Sequence, residues 1–225
     1  MCVKVTCKRC KKPTWSGCGE HIEEALDGIA LADRCAGHAG EVKKAGLLSR
    51  LFKRNLMQIK VEAASELDAD RLRTLRLAAL SDSPNAFGAK YEVEKEKPIN
   101  FWQNSARITN WCLVSADDTD IGLVAVDKAT QDRTADCWVS AWWIQKEFRG
   151  KGVARLMMDW IDQLANKNDW NRIGLGVWPD NKQAISAYKK LGFIAGGELM
   201  PSRSIPGLLY LPMFRDIGGE SLEQA

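Results

Sequence analysis

Five of the seven cysteines and both histidines of this 225-residue chain fall within its first 38 residues. They are spaced as Cys7-x2-Cys10, Cys18-x2-His21 and Cys35-x2-His38. A segment of about 40 residues rarely buries enough apolar surface to fold unaided, so a metal staple is the expected remedy. A two-residue gap brings two side chains to one ion, and thiolate with imidazole is the donor set that tetrahedral zinc prefers. Cys7 and Cys10 are the first ligand pair. Cys18 and His21 form the second, because Ser16 can cap a helix starting near GCGEHIEEAL and the loop from Cys10 is short. Cys35 and His38 are the alternative second pair. Four filled positions make the zinc structural, with no open site for chemistry. The competing reading is a set of reduced thiols with satisfied histidines; a disulfide framework is disfavoured because MCVKVTCKRCKK does not resemble a secretory leader.

Charge divides the chain in the same place. The net charge is +3, yet residues 1 to 55 hold 11 Lys/Arg against 6 Asp/Glu, while the remainder holds 21 against 23. Four segments follow: a Cys/His-rich module over 1–41, a basic linker helix over 42–56 (VKKAGLLSRLFKRNL), a larger domain over 57–217, and a tail over 218–225. No apolar run approaches the roughly 20 residues needed to cross a bilayer. A cytoplasmic protein is expected. The modest charge, without basic and aromatic interleaving, argues against a nucleic-acid partner.

In the larger domain, MQIKVE reads as a strand, Ser65 and Asp68 as a helix cap, and Leu67, Leu72, Leu75, Leu77 and Leu80 as the apolar face of the next helix. A second helical stretch through YEVEKEK breaks at Pro98 and resumes as INFWQNSARI. Strand patterns cover Trp111 to Ser115, Ile121 to Lys128 and Thr134 to Gln145, the first two joined by the acidic turn ADDTD. The helix VARLMMDWIDQLANK, the strand IGLGVW, the helix NKQAISAYKKL and one or two final strands complete a mixed α/β order.

The stretch EFRGKGVARL joins a strand to an amphipathic helix. A helix N-terminus carries unpaired N–H groups and partial positive charge, glycines let a phosphate approach the backbone, and Arg149 and Lys151 add cation. The stretch is neither a Walker loop nor a GxGxxG fingerprint. Some thirty residues on stands Asn181-x2-Ala184-x3-Tyr188-x3-Gly192-Phe193, whose spacing sets Asn181 and Tyr188 on one helical face. Alone, Tyr188 is equally a core residue with its hydroxyl at the surface, and the tryptophans Trp102, Trp111, Trp138, Trp142 and Trp143 are more simply core than pocket.

RGxGxA before a helix, followed by NxxAxxxYxxxGF, resembles the GNAT superfamily of acyl-CoA N-acyltransferases over roughly Ile59 to Arg215. The resemblance implies a mixed, mainly antiparallel sheet flanked by helices. It implies acetyl-CoA as cosubstrate, with its pyrophosphate on the amides of Arg149, Gly150, Lys151, Gly152, Val153 and Ala154. The backbone of Trp142, Trp143 and Ile144, splayed from the parallel neighbour, would hold the pantetheine arm. Asn181 would touch the cofactor, and Tyr188 would protonate the departing thiolate. The acceptor is a small-molecule or peptide amine, attacked directly in a ternary complex. No carboxylate occurs in CWVSAWWI, so no base is assigned; Asp136 and Glu147 are the nearest acids. Glu147 departs from the family's usual Gln or Arg, and Glu147→Gln should tighten cofactor binding. The segment from Thr6 to His38 resembles an uncharacterised bacterial Cys/His-rich family, which implies no activity. Rival readings are a catalytically inactive acyl-CoA sensor and a nucleic-acid- or protein-binding adaptor led by the basic module. Nothing in the pattern specifies an oligomer.

Overall fold

The computed structural model describes residues 2–16, 22–36 and 57–218. Cys18, His21, His38, the linker helix and the tail beyond Gly218 lie outside the described residues. The chain divides into two compact units, Met1–Leu56 and Met57–Ala225.

In the small unit, β1 (Val3–Thr6) and β2 (Pro13–Ser16) form an antiparallel hairpin in which Thr6 faces Pro13. Ser16 therefore ends a strand. The turn between the strands is closed by Cys7 N–H to Lys12 O (2.9 Å) and Lys11 N–H to Cys7 O (2.9 Å). A single helical turn, α1 (Ile22–Ala25), follows. Cys35 is drawn back to the hairpin by its N–H to Pro13 O bond (2.9 Å). Leu26 is the one fully buried hydrophobic among the described residues of this unit.

The larger unit is built on one sheet. Its strands are β3 (Ile59–Ala63), β4 (Asn110–Ala116), β5 (Thr119–Lys128), β6 (Cys137–Ile144), β7 (Arg172–Val177), β8 (Ile194–Ala195), β9 (Met200–Pro201) and β10 (Leu209–Asp216). The order is β3-β4-β5-β6-β7-β10-β8, with β9 also on β10, and β6–β7 is the one parallel pair among them. The β4–β5 turn places Asp117 (φ 46°) and Asp118 (φ 64°) in the left-handed region, which a two-residue hairpin of the right twist requires.

Alternation along the strands sends side chains to two cores. Cys112, Val114, Val124 and Val139 meet Met157, Met158 and Ile161 of α5 (Val153–Lys167) on one face. Leu113, Leu123, Ala125 and Trp143 meet Leu72, Leu75 and Ala79 of α2 (Ala69–Asp82) and Trp102 of α4 (Ile99–Ile108) on the other. Between α2 and α4 lies one turn, α3 (Tyr91–Glu94). The capping box of Ser65 and Asp68 precedes α2 as its sequence predicts. Leu67 does not join that helix's apolar face: it sits in a preceding 3-10 turn, 96% exposed, while Ala69 and Ala79 take up the buried stripe. The last helix, α6 (Lys182–Lys190), leads to β8.

Candidate functional site

The site begins where β6 and β7 part. Parallel pairing holds for Cys137, Trp138 and Val139 against Ile173, Gly174 and Leu175 and then stops, although β6 runs on to Ile144. At the same point the register with β5 shifts between Leu123 and Ala125, and Ala141 takes a positive φ of 53°. That is a β-bulge with a strained non-glycine residue, and it bends the strand away from its neighbour. Gln145 N–H bonds Ile121 O (2.8 Å), so antiparallel alternation turns the main-chain groups of Trp143 toward β5 and those of Ile144 away from it. The Ile144 carbonyl accepts Arg149 Nε–H at 2.8 Å.

The glycine loop follows. Gly150 (φ 75°) and Gly152 (φ 86°) are left-handed, and a Cβ at either would meet nothing within 4 Å. Conformation, not crowding, demands glycine at both positions, and the space above them is open. Gly152 caps α5 without any side-chain acceptor, and no acidic residue stands in the first turn. Among the described residues the amides of Gly150 to Ala154 have no acceptor. Five adjacent unpartnered N–H groups at a helix start make an anion cradle.

Two predicted contacts take unexpected partners. The Arg149 guanidinium is bound to Asp82, the last residue of α2, which also accepts Trp143 Nε1–H at 2.8 Å. The Trp143 hydrogen bond, with those of Ser83 and Arg149, holds the Asp82 carboxyl below its usual range. Asn181 is the N-cap of α6 and accepts Ala184 N–H at 3.1 Å. It also lines a hollow of about 310 Å³ with Asp82, Asn85 and Asp180. Lys151 lies over the Phe148 ring, 5.5 Å from its centroid, and Glu147 is exposed.

Tyr188 packs its ring against Trp142 (centroids 5.6 Å apart) and Phe193 (6.0 Å), which sets the phenol beside the end of β6. Its hydroxyl has no hydrogen-bond partner among the described residues. Desolvation pushes the phenol up to about 12, so it keeps its proton across the physiological range. The two acids near β6 are differently placed. Asp136 accepts Asn171 N–H (2.7 Å) and Arg172 N–H (2.9 Å) at the paired end of the strand, away from the opening.

A cavity of about 430 Å³ opens on the α2 and α4 side of the parting strands, reaching Ser140 and Ala141 of β6 and Gly176 and Val177 of β7. Sequence reasoning did not see it. Gly176 belongs to its lining, where a Cβ would lie 2.7 Å from the Tyr210 ring, and behind it a Cβ at Gly174 would lie 2.7 Å from the lining Trp138 ring. At the rim the loop after α2 meets the loop after β9, since a Cβ at Gly88 would fall 1.9 Å from Ser204 Oγ. Arg76, Trp102 and Arg133 in the lining each carry a buried N–H donor without a partner. Such an orphan costs about 1–3 kcal/mol when nothing binds it.

In the small unit, the sulfurs of Cys7, Cys10 and Cys35 lie within 4.8 Å of one another. The hairpin turn supplies two of them and the Cys35–Pro13 bond carries in the third.

The mixed sheet opens beside a helix-capping glycine loop, and the comparisons give this arrangement a family. The chain belongs to the acetyltransferase (GNAT) family, whose model matches residues 72–193, more than half of the chain. Residues 1–43 match a domain of unknown function (DUF8730). A probable spermine N(1)-acetyltransferase from Bacillus subtilis subsp. natto is 35% identical over 63 residues, 28% of this chain and 41% of the relative. The chain thus spans about two-fifths of that curated relative's length. An acetyltransferase of the GNAT family from Streptococcus pneumoniae shares the fold at a TM-score of 0.58 and 16% identity, over 72% of this chain and all 100% of that one. A PaiA N-acetyltransferase from Thermoplasma acidophilum, solved in complex with coenzyme A, does so at 0.56 and 15%, over 72% and 100%. Among the described residues no helix is long and apolar enough to cross a membrane.

Proposed function

We propose that the larger unit transfers an acetyl group from acetyl-CoA to a primary amine by direct attack. The observation that carries this reading is the adjacency of two unfilled hydrogen-bonding surfaces, the edge of β6 beyond Val139 and the free amides of Gly150 to Ala154. The amides take the pyrophosphate, aided by Lys151. Arg149, already bound to Asp82, acts by fixing the loop to α2 rather than as a free cation. The open β6 edge receives the pantetheine arm like an added strand, with the outward N–H of Ile144 among its partners, the Ile144 carbonyl being held by Arg149, and a neighbouring N–H polarising the thioester carbonyl.

In the transfer, the amine nitrogen bonds to the acetyl carbon and loses a proton to solvent. The C–S bond breaks, and sulfur leaves with the Tyr188 proton, giving an amide and the coenzyme A thiol. Holding both reactants in one cleft supplies much of the rate. The acetyltransferase relative supports an amine acceptor. Calorimetric titration with acetyl-, propionyl- and succinyl-CoA, paired with thiol release over an amine panel, tests the reading. Absence of acyl-CoA binding would sink it.

The small unit is read as a structural zinc site held by Cys7, Cys10 and Cys35. This favours Cys35 over Cys18 as the third ligand, and His38, at the same two-residue gap, becomes the first choice for the fourth, with His21 and Cys18 as alternatives. Three converging thiolates suit zinc chemically. Metal analysis should find about one zinc per chain, lost together with folding of the unit in a Cys7→Ser, Cys10→Ser variant. A metal-free purified protein with an ordered small unit would overturn this.

A further inference from the structure

The cavity beside the parting strands carries the wrong charge for a polyamine. Glu94 is the single carboxylate in its lining, and it is already held by Arg76 (3.3 Å) and Lys97 (3.6 Å). Three arginines, Arg76, Arg133 and Arg203, face the same space. Arg203 is paired with Asp132 outside the lining. Arg133 has no ion-pair partner among the described residues; its guanidinium lies 3.9 Å from the centroid of Trp138, so one flat side is covered and only its N–H edges remain for a ligand.

The donors tell the same story. Arg76 is 8% exposed and Trp102 1%, yet Arg76 Nη1, Trp102 Nε1 and Arg133 Nε are buried with nothing to donate to. Buried N–H groups are almost always satisfied, and those left over in a cleft are completed by what the cleft binds. All three lack an acceptor, and two belong to cations. What completes them is an anion with several lone pairs.

We infer that the amine acetylated here also carries a carboxylate, making the acceptor an amino-acid-like molecule whose carboxylate is received by Arg133, Arg76 and Trp102 while its amine is presented toward the β6 opening. The rest of the lining is aromatic, with Phe87, Phe101, Trp138 and Tyr210. An aromatic amino acid is accordingly the first probe. This deepens the transferase reading and rests on it only for the acetyl step, not for binding of the acid.

The test uses the full chain and four amines: phenylalanine, phenylalaninamide, phenethylamine and spermine. Phenylalanine should exceed each of the others by at least about tenfold in kcat/KM, since a site built around donors discriminates against ligands that leave them unmet. Arg133→Gln should reduce that ratio toward one, and Arg133→Lys should restore part of it, with thermal melting read alongside to confirm folding. Equal turnover of acid and amide, or preference for spermine, would overturn the inference. If no amine releases thiol, calorimetry of phenylalanine against phenylalaninamide still decides. Acid-selective binding that depends on Arg133 then upholds the cavity assignment and counts against the transferase step alone, whereas no selectivity ends both.

Discussion

The cavity opens beside β6 and the cradle follows that strand in the chain, and they are built by opposite means. The cradle is one continuous stretch, Gly150 to Ala154, whose binding groups are backbone amides exposed because a helix starts there. The cavity is assembled from side chains of α2, α4, the β5–β6 loop and the strands themselves. A backbone site tolerates many side-chain changes and fails when φ is constrained. A side-chain site fails residue by residue and is tied into the core that holds its members in place.

The largest expected effect is on the cavity side. Arg76→Ala leaves Glu94 buried without its closest cation, both side chains being about nine-tenths covered, and should destabilise the fold by about 3 kcal/mol in chemical denaturation. Catalysis should respond next. Tyr188→Phe preserves the ring contacts with Trp142 and Phe193 and should lower kcat about 100-fold with acetyl-CoA affinity and melting temperature kept. Undiminished turnover would reduce Tyr188 to a packing residue. Gly152→Ala tests the cradle: a side chain at φ 86° costs about 1–2 kcal/mol, and acetyl-CoA affinity should fall about tenfold while amino-acid binding in the cavity stays. Smallest is Asp82→Asn at the hinge between the two. The Asp82 carboxyl is held below its usual value in the folded chain. Its stabilisation is therefore present above the unfolded value and lost as pH falls through the folded one. A third exposed, the pair contributes at most about 1 kcal/mol. The stability gap between wild type and Asp82→Asn should be seen at neutral pH and close below pH 4 or so; a gap independent of pH would assign the effect to packing.

Much of the fold was legible. The Ser65 and Asp68 capping box, the ADDTD hairpin, and the strand, loop and helix around Gly150 each follow from local chemistry, and each stands where its residues predict. Leu67 misled because a helical spacing begun two residues before Ala69 includes a position in the capping turn, where this side chain is exposed. The family resemblance implies a cofactor contact for Asn181; an Asn before a helix is also a natural cap, and its side chain accepts the Ala184 N–H. The glycines of IGLGVW passed as strand residues. Their purpose, room for the Trp138 and Tyr210 rings, lies in residues distant in the chain.

By itself the sequence determined where backbone donors would be exposed and where the Cys7 and Cys10 sulfurs would gather, because both depend on neighbours within a few residues. Tertiary structure decided the rest. It brought Cys35 to Cys7 and Cys10, with the Cys35 N–H on Pro13 O, turned Arg149 onto Asp82, and set Arg76, Trp102 and Arg133 around one space with donors unmet. Those are long-range juxtapositions, set by how the sheet bends at the Ala141 bulge and which helices cover it. No local pattern encodes them, since a buried arginine and a solvated one read alike until the fold decides which of them loses its water.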